Sequence, residues 1–176
     1  MLLGSNAAFP HGTTQIMTVT PGQLILIDAG GSLYGYQSDI TRTFPFGQVS
    51  DELRTAWNLV KEAQLAALAI IKPGLPCGEA DEAAREVIVD GGYGPGYKYF
   101  VHRLGHGIGI QGHEEPYLVQ GNNVTMQSGN TFSVEPGIYV QNQFGIRLED
   151  IVMCTENGYE VFGPLSESID NPFGNL

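Results

Sequence analysis

The alternation of apolar and polar positions divides the chain into two strand pairs with helices between them. Residues 23–29, QLILIDA, form a short apolar run behind Pro21-Gly22, too short for a helix and flanked by turn residues, so they predict a strand. Residues 33–44 carry β-branched and aromatic side chains after Gly30-Gly31 and predict the returning strand of a hairpin, ended by Pro45 and Gly47. Ser50 is placed as an N-cap, with Asp51 and Glu52 in the first turn where the helix dipole favours acids. From there Leu53, Trp57, Val60, Gln64, Ala67 and Ile71 share one face of a long helix reaching Lys72, which Pro73-Gly74 stops. A second helix, Glu79 to Asp90, closes at Gly91-Gly92, and a loop rich in glycine and tyrosine follows at 91–99. Residues 131–140 and 145–153 predict a second hairpin, turning at Gln143-Phe144-Gly145. The stretch 162–176 is rich in Pro, Ser, Asn and Gly and is expected to be a loose tail.

A length of 176 residues suits one domain, 1–176, and 42% hydrophobic residues provide for a buried core. The 24 glycines have no fixed period, which excludes collagen and points to tight turns. A formal net charge of −11 disfavours nucleic acid and anionic membranes as partners, since both need basic surface. Cys77 and Cys154 are too few for a disulfide framework and are expected to be reduced thiols. MLLGSNAAFP lacks the basic start of a signal peptide, and no apolar run reaches the length of a membrane span. The expected location is the cytoplasm.

Charge placement carries the chemistry. Asp28 follows LILI, Asp39 sits in QSDITRTF, Glu135 in TFSVEPGIYV and Glu149 in GIRLEDIVM. Carboxylates in apolar strands are costly to bury unpaired, so four near strand ends point to convergence on a shared cation. The chain has four histidines, and three of them, His102, His106 and His113, fall among the glycines of HRLGHGIGIQGHE. Glycines let backbone come close to a ligand. Four carboxylates with one imidazole form a hard, oxygen-rich donor set, suited to Mn²⁺, Co²⁺ or Fe²⁺ more than to structural zinc. Four acids exceed the need of one ion, so two ions with bridging carboxylates fit the set. No nucleophile elbow or P-loop occurs, and GHGIG lacks the full dinucleotide pattern.

From about Gly4 to Glu156 these strings resemble the pita-bread metallopeptidases: prolidase, aminopeptidase P, methionine aminopeptidase and the non-peptidase creatinase. The resemblance implies an α+β fold with a curved antiparallel sheet and helices outside it. It implies that Asp28 chelates one metal, Asp39 and Glu149 bridge the two, and His106 and Glu135 complete the coordination of the other metal. Mn²⁺ is the first expectation, with Co²⁺, Zn²⁺ or Fe²⁺ as alternatives. A hydroxide held by the ions would attack the scissile carbonyl, and Glu135 would pass a proton to the leaving amine. His102 and His113 would hold the substrate and stabilise the oxyanion. His102, Arg147 and His11 match the proline-specific branch. Together they imply cleavage of the bond before proline in dipeptides or peptide N-termini, with Arg147 suited to a substrate carboxylate. Dipeptidase and aminopeptidase both stay open. So do a catalytically impaired binding or regulatory protein and a methionine aminopeptidase-like or other hydrolase on the same fold. The resemblance also implies two helices and a domain ahead of Gly4 that this sequence does not contain. An apolar sheet face, covered by a second copy or another partner, is therefore expected.

Overall fold

The computed structural model describes residues 1–174. The first helix, α1 (Asp51–Ile70), begins as its cap requires: the Ser50 hydroxyl accepts a hydrogen bond from the Leu53 amide at 3.3 Å. Ala56, Trp57, Val60, Ala63, Gln64, Ala67 and Leu68 form its buried stripe. Gln64 is tolerated there because its amide donates to the Asp150 carboxylate at 2.8 Å. The second helix, α2 (Cys77–Asp90), starts two residues earlier than the sequence predicts. No side chain caps it. The amides of Cys77 and Gly78 donate instead to the carbonyls of Val124 and Asn122, so a neighbouring loop satisfies the first turn.

The N-terminal sheet has the order β1 (Leu2–Leu3), β2 (Gln23–Leu33), β3 (Tyr36–Phe46), all antiparallel, behind a short 3-10 helix at Gly4–Ala8. The β2–β3 turn is at Tyr34-Gly35, not at the predicted Gly30-Gly31. Tyr34 and Gly35 both have positive φ, as a two-residue hairpin turn of this hand needs. Gly30 stays in the ladder opposite Asp39, where a Cβ would meet the Ser38 carbonyl at 2.6 Å. Its smallness serves a close approach between strands.

The second strand pair is more broken than predicted. It divides into β6 (Thr131–Val134), β7 (Gly137–Val140), β8 (Phe144–Arg147) and β9 (Asp150–Thr155). With β4 (Gly105–Gly107), β5 (Glu114–Leu118) and β10 (Gly158–Val161), β6 and β9 form a five-stranded sheet of order β10-β9-β6-β4-β5. The β7–β8 ribbon stands apart, turning one step before the predicted Gln143-Phe144-Gly145, through Asn142 at φ 62°. The breaks fall at Glu135-Pro136 and Leu148-Glu149. Pro136 has no amide for the ladder. The Glu135 amide turns to the Leu104 carbonyl, and the Glu149 amide to the Thr41 carbonyl. Both acids therefore sit where the chain leaves one sheet for another.

The core lies between the helices and the five-stranded sheet, around Trp57, Phe100, Leu104, Leu118, Phe132 and Ile138. The expected loose tail is, over its described part, fastened down. Ile169 and Ser166 are buried, the Pro164 carbonyl accepts from the Arg42 guanidinium at 2.9 Å, and Phe173 packs on Phe44 with ring centres 5.8 Å apart. An apolar Ile and Phe among polar neighbours outweigh the loop-like composition. Residues 175 and 176 of that tail lie outside the described residues. On the outer face of β2–β3, Ile40 and Phe46 remain 41% and 43% exposed. No helix among the described residues is long and apolar enough to cross a membrane.

Gly105 is where β4 lies closest to β6, and a Cβ there would run into the Ser133 carbonyl. Gly105→Ala should cost about 2–3 kcal/mol of unfolding free energy. Gly112→Ala, with nothing within 4 Å of the added carbon, should cost far less. Equal urea midpoints for the two variants would contradict this packing.

Candidate metal centre

Five elements deliver one ionisable group each. Asp28 and Asp39 project from the inner face of the β2–β3 hairpin, His106 from the middle of β4, Glu135 from the break after β6, and Glu149 from the break before β9. His106 Nε2 lies 3.4 Å from Glu135 Oε1 and 4.0 Å from Asp39 Oδ2. One ligand atom each from Asp39, His106 and Glu149 lie within 4.8 Å of one another. Asp28 lies beside Asp39, whose proton affinity burial and the Asp28 charge both raise, at the open edge of the group.

The tautomer of His106 tests whether this set fits a metal. Its Nδ1 is 3.0 Å from the Gly107 carbonyl, which only accepts, so Nδ1 carries the hydrogen. Nε2 is left with its lone pair aimed among carboxylate oxygens. That arrangement is repulsive on its own and favourable around a cation, and it is the usual orientation of a metal-binding imidazole. Proton affinities tell the same story. Burial pushes the Glu149 carboxyl well above the usual range, with Glu135 and Asp39 adding to the rise. Burial raises Glu135 to about 7, against the opposing pull of Arg147. Asp39 is raised by burial and by Asp28, and His106 is lowered by burial. The acids call for protons or for cations.

Supporting groups hold the acids in place, and sequence reasoning missed three of them. The Thr41 hydroxyl donates to Glu149 Oε2 at 2.6 Å, and the Ser133 hydroxyl to Glu135 Oε1 at 3.2 Å. Both are ordinary β-strand residues whose sequence carries no signal. Tyr139 is the third. Its signal was available: a tyrosine in the apolar EPGIYV needs a partner for its hydroxyl when buried. Behind Glu149, the Arg42 guanidinium donates to the carbonyls of Thr41 and Glu149 and to Asp150 Oδ1, tying β3 to β9.

The four predicted substrate residues surround the acids on one cavity of about 910 Å³, a size suited to a peptide fragment. His11 and His113 are exposed, and the His113 ring lies 3.9 Å, centre to centre, from that of His106. Arg147 is buried and donates to Asp28 Oδ2 at 2.6 Å and to the Tyr139 hydroxyl at 3.0 Å. Its salt-bridge contacts are Asp28 and Glu135, not the nearby Glu149 or Asp150. His102 has both ring nitrogens engaged within the protein. Nδ1 faces the Arg103 carbonyl at 2.7 Å and so carries the hydrogen, leaving Nε2 to accept from the Tyr139 hydroxyl at 2.7 Å. Burial lowers its pKa to about 3, so it is neutral. A directed chain results, from Arg147 to Tyr139 to His102 to the Arg103 carbonyl.

The sequence model of metallopeptidase family M24 matches residues 1–156. This chain belongs to that family. Membership in M24 implies divalent metal ions, for which the donors above are suited. The chain is 42% identical over 166 residues to a Xaa-Pro dipeptidase of Lactobacillus delbrueckii subsp. lactis, covering 94% of this chain and 44% of that protein. The prolidase of Pyrococcus furiosus superposes with a TM-score of 0.86 at 39% identity, over 91% of this chain and 47% of that one. An Escherichia coli aminopeptidase P variant in complex with substrate superposes at 0.83 with 28% identity, over 91% of this chain and 42% of that one. This M24 chain thus spans less than half the length of these relatives. The pita-bread architecture expected from the motifs is the one the chain adopts.

A raised carboxyl pKa makes a prediction for chelator-treated protein. Between about 4.5 and about 7 the unfolded chain has released the Glu135 proton and the folded chain keeps it. The contribution of Glu135 to stability therefore falls as pH rises through that window. The lowered histidines act with the opposite sign below about 6.5, so the comparison must isolate Glu135. The stability of the wild type minus that of Glu135→Gln, from urea melts, should decline across the window. A difference that stays flat or rises counts against this burial.

Proposed function

We propose that the chain is the metal-holding part of a peptidase that hydrolyses the bond preceding proline, with Asp28, Asp39, His106, Glu135 and Glu149 as ligands of two divalent ions, Mn²⁺ in the first place. The carrying observation is the His106 Nε2 lone pair facing Asp39 and Glu135, with Glu149 beside them. When bound, such ions supply Lewis acidity and a water acidic enough to ionise near neutral pH. Glu135, at the cavity wall, takes the proton of the attacking water and delivers it to the proline nitrogen as the C–N bond breaks. His113 and His11, exposed on the cavity rim, take the substrate carbonyl and chain. Arg147 is the cation for a substrate carboxylate or for Asp28. His102 joins this function from behind, since its ring keeps the Tyr139 hydroxyl, and through it Arg147, in one orientation.

The names of relatives support the substrate class: a Xaa-Pro dipeptidase and a prolidase among those that match. Cytoplasmic residence belongs to the same proposal, in keeping with two free, buried thiols. So does a second copy or another partner over the outer face of β2–β3.

The test begins with metal content after purification, then hydrolysis of Ala-Pro and of a longer Xaa-Pro peptide with added Mn²⁺. Cleavage of the dipeptide alone marks a prolidase, and cleavage of both an aminopeptidase. Glu135→Gln should lower kcat by about 10²–10⁴ and leave the far-ultraviolet circular dichroism unchanged. Metal bound without turnover of either peptide would overturn the proposal, and full activity of Glu135→Gln would overturn the role given to that residue.

A further inference from the structure

We propose that Asp81 and Arg85, one turn apart on α2 and outside the metal centre, are positioning residues for the reaction: as a pair they set the placement of residues 100–104, and with it His102 and Glu135. The inference rests on the peptidase reading above.

Both side chains are almost fully buried, at 0% and 4% exposure. They meet as a two-pronged pair, Arg85 Nε to Asp81 Oδ2 at 2.9 Å and Nη2 to Oδ1 at 3.0 Å. The pair then takes the backbone of alternate residues in the segment opposite. Arg85 Nη1 donates to the Phe100 carbonyl at 2.6 Å and Nη2 to the His102 carbonyl at 2.9 Å. Asp81 Oδ1 accepts the Leu104 amide at 2.7 Å. Positions 100, 102 and 104 are outside any strand, so two helix side chains stand in for the missing neighbour. The guanidinium is also held between rings, with Cζ 3.8 Å from the centre of Tyr97 and 4.2 Å from that of Phe100.

The consequences run in two directions. His102 hangs from the segment whose carbonyls Arg85 holds, and its ring leads to Tyr139 and Arg147. Leu104, held by Asp81, gives its own carbonyl to the Glu135 amide at 2.8 Å. Two residues beyond Leu104 the chain reaches His106. A buried ion pair is a weak source of net stability, because desolvation offsets its attraction, and apolar side chains would fill the same volume. Apolar groups could not choose which backbone atoms to hold. Lysine would keep the charge, but it lacks the planar fork that serves Asp81 and two carbonyls together. Displacement of catalytic groups by about 1 Å costs about 10²-fold in rate, so the segment's placement bears on turnover more than on affinity for peptide.

The test uses the full 176-residue chain and compares Arg85→Met, Arg85→Lys, Asp81→Asn and, as a control on the same helix, Ile88→Val. Arg85→Met should lose about 100-fold in kcat for Ala-Pro, the cost of a misplaced group, with KM held within about threefold. Arg85→Lys should recover part of that loss. Ile88→Val should lower the melting temperature and leave kcat unchanged. A second readout needs no turnover: long-range proton–nitrogen spectra of the chelator-treated chain, in which the His102 ring should lose its fixed Nδ1–H pattern in Arg85→Met. Unchanged kcat in Arg85→Met, or losses that follow melting temperature alike in all four variants, would overturn the inference. Should Arg85→Met fail to fold, Arg85→Lys and Asp81→Asn decide by the same two readouts. If the wild type cleaves neither peptide, the peptidase reading fails on its own account. An undisturbed His102 pattern in the variants then overturns this inference separately.

Discussion

The molecule is organised around one unfavourable event, the gathering of Asp39, Glu135 and Glu149 about the lone pair of His106, with Asp28 at the edge. Like charges in a place of low polarity repel, and each would rather keep a proton. What holds them together is a rigid surround. Thr41 and Ser133 give hydroxyls to two of the acids, Arg147 reaches Asp28, and Arg42 ties the backbone of Glu149 to β3. The scaffold thereby keeps the acids where a cation can compensate them, so a bound cation stabilises the fold as well as the chemistry.

This requirement explains where the strands break. An unbroken ladder from Thr131 to Val140 would point alternate side chains to opposite faces and keep every amide within one sheet. At Glu135 and Glu149 the amides change partner, to Leu104 and Thr41, and the side chains turn into the space between sheets. Pro136 enforces one of those breaks by having no hydrogen to offer. The EPG string thus marks a junction as much as a strand.

Local signals were legible and distant ones were not. The Ser50 cap and the stripe from Leu53 to Ala67 depend on neighbours within a turn or two, and both read through. The acids were legible too, because a carboxylate in an apolar run is conspicuous wherever it folds. Gly30-Gly31 misled because glycine serves turns and close approaches alike, and only the Ser38 carbonyl across the strand decides between them. The tail misled because its composition says loop, whereas its fastening depends on Arg42 and Phe44, more than a hundred residues earlier. Thr41, Ser133 and Tyr139 were missed for a related reason: a hydroxyl in a strand means little until the group it faces is known.

The same distinction separates the two kinds of charge in this protein. The acids of the centre are poorly matched to their surroundings as they stand, with raised proton affinities and little compensating charge. Asp81 and Arg85 are the reverse, a buried pair whose partners are supplied by each other and by three backbone groups. An unsatisfied cluster is what a ligand can use, since binding energy comes from completing what the protein leaves incomplete. A satisfied pair offers a ligand nothing, but it resists displacement, because moving the segment from 100 to 104 would strand several polar groups at once. A site that must hold ill-matched charges in register needs well-matched charges behind it. In this chain a short path from Asp81 to Leu104 to Glu135 joins the two sets, and another runs from Arg85 through His102 and Tyr139 to Arg147.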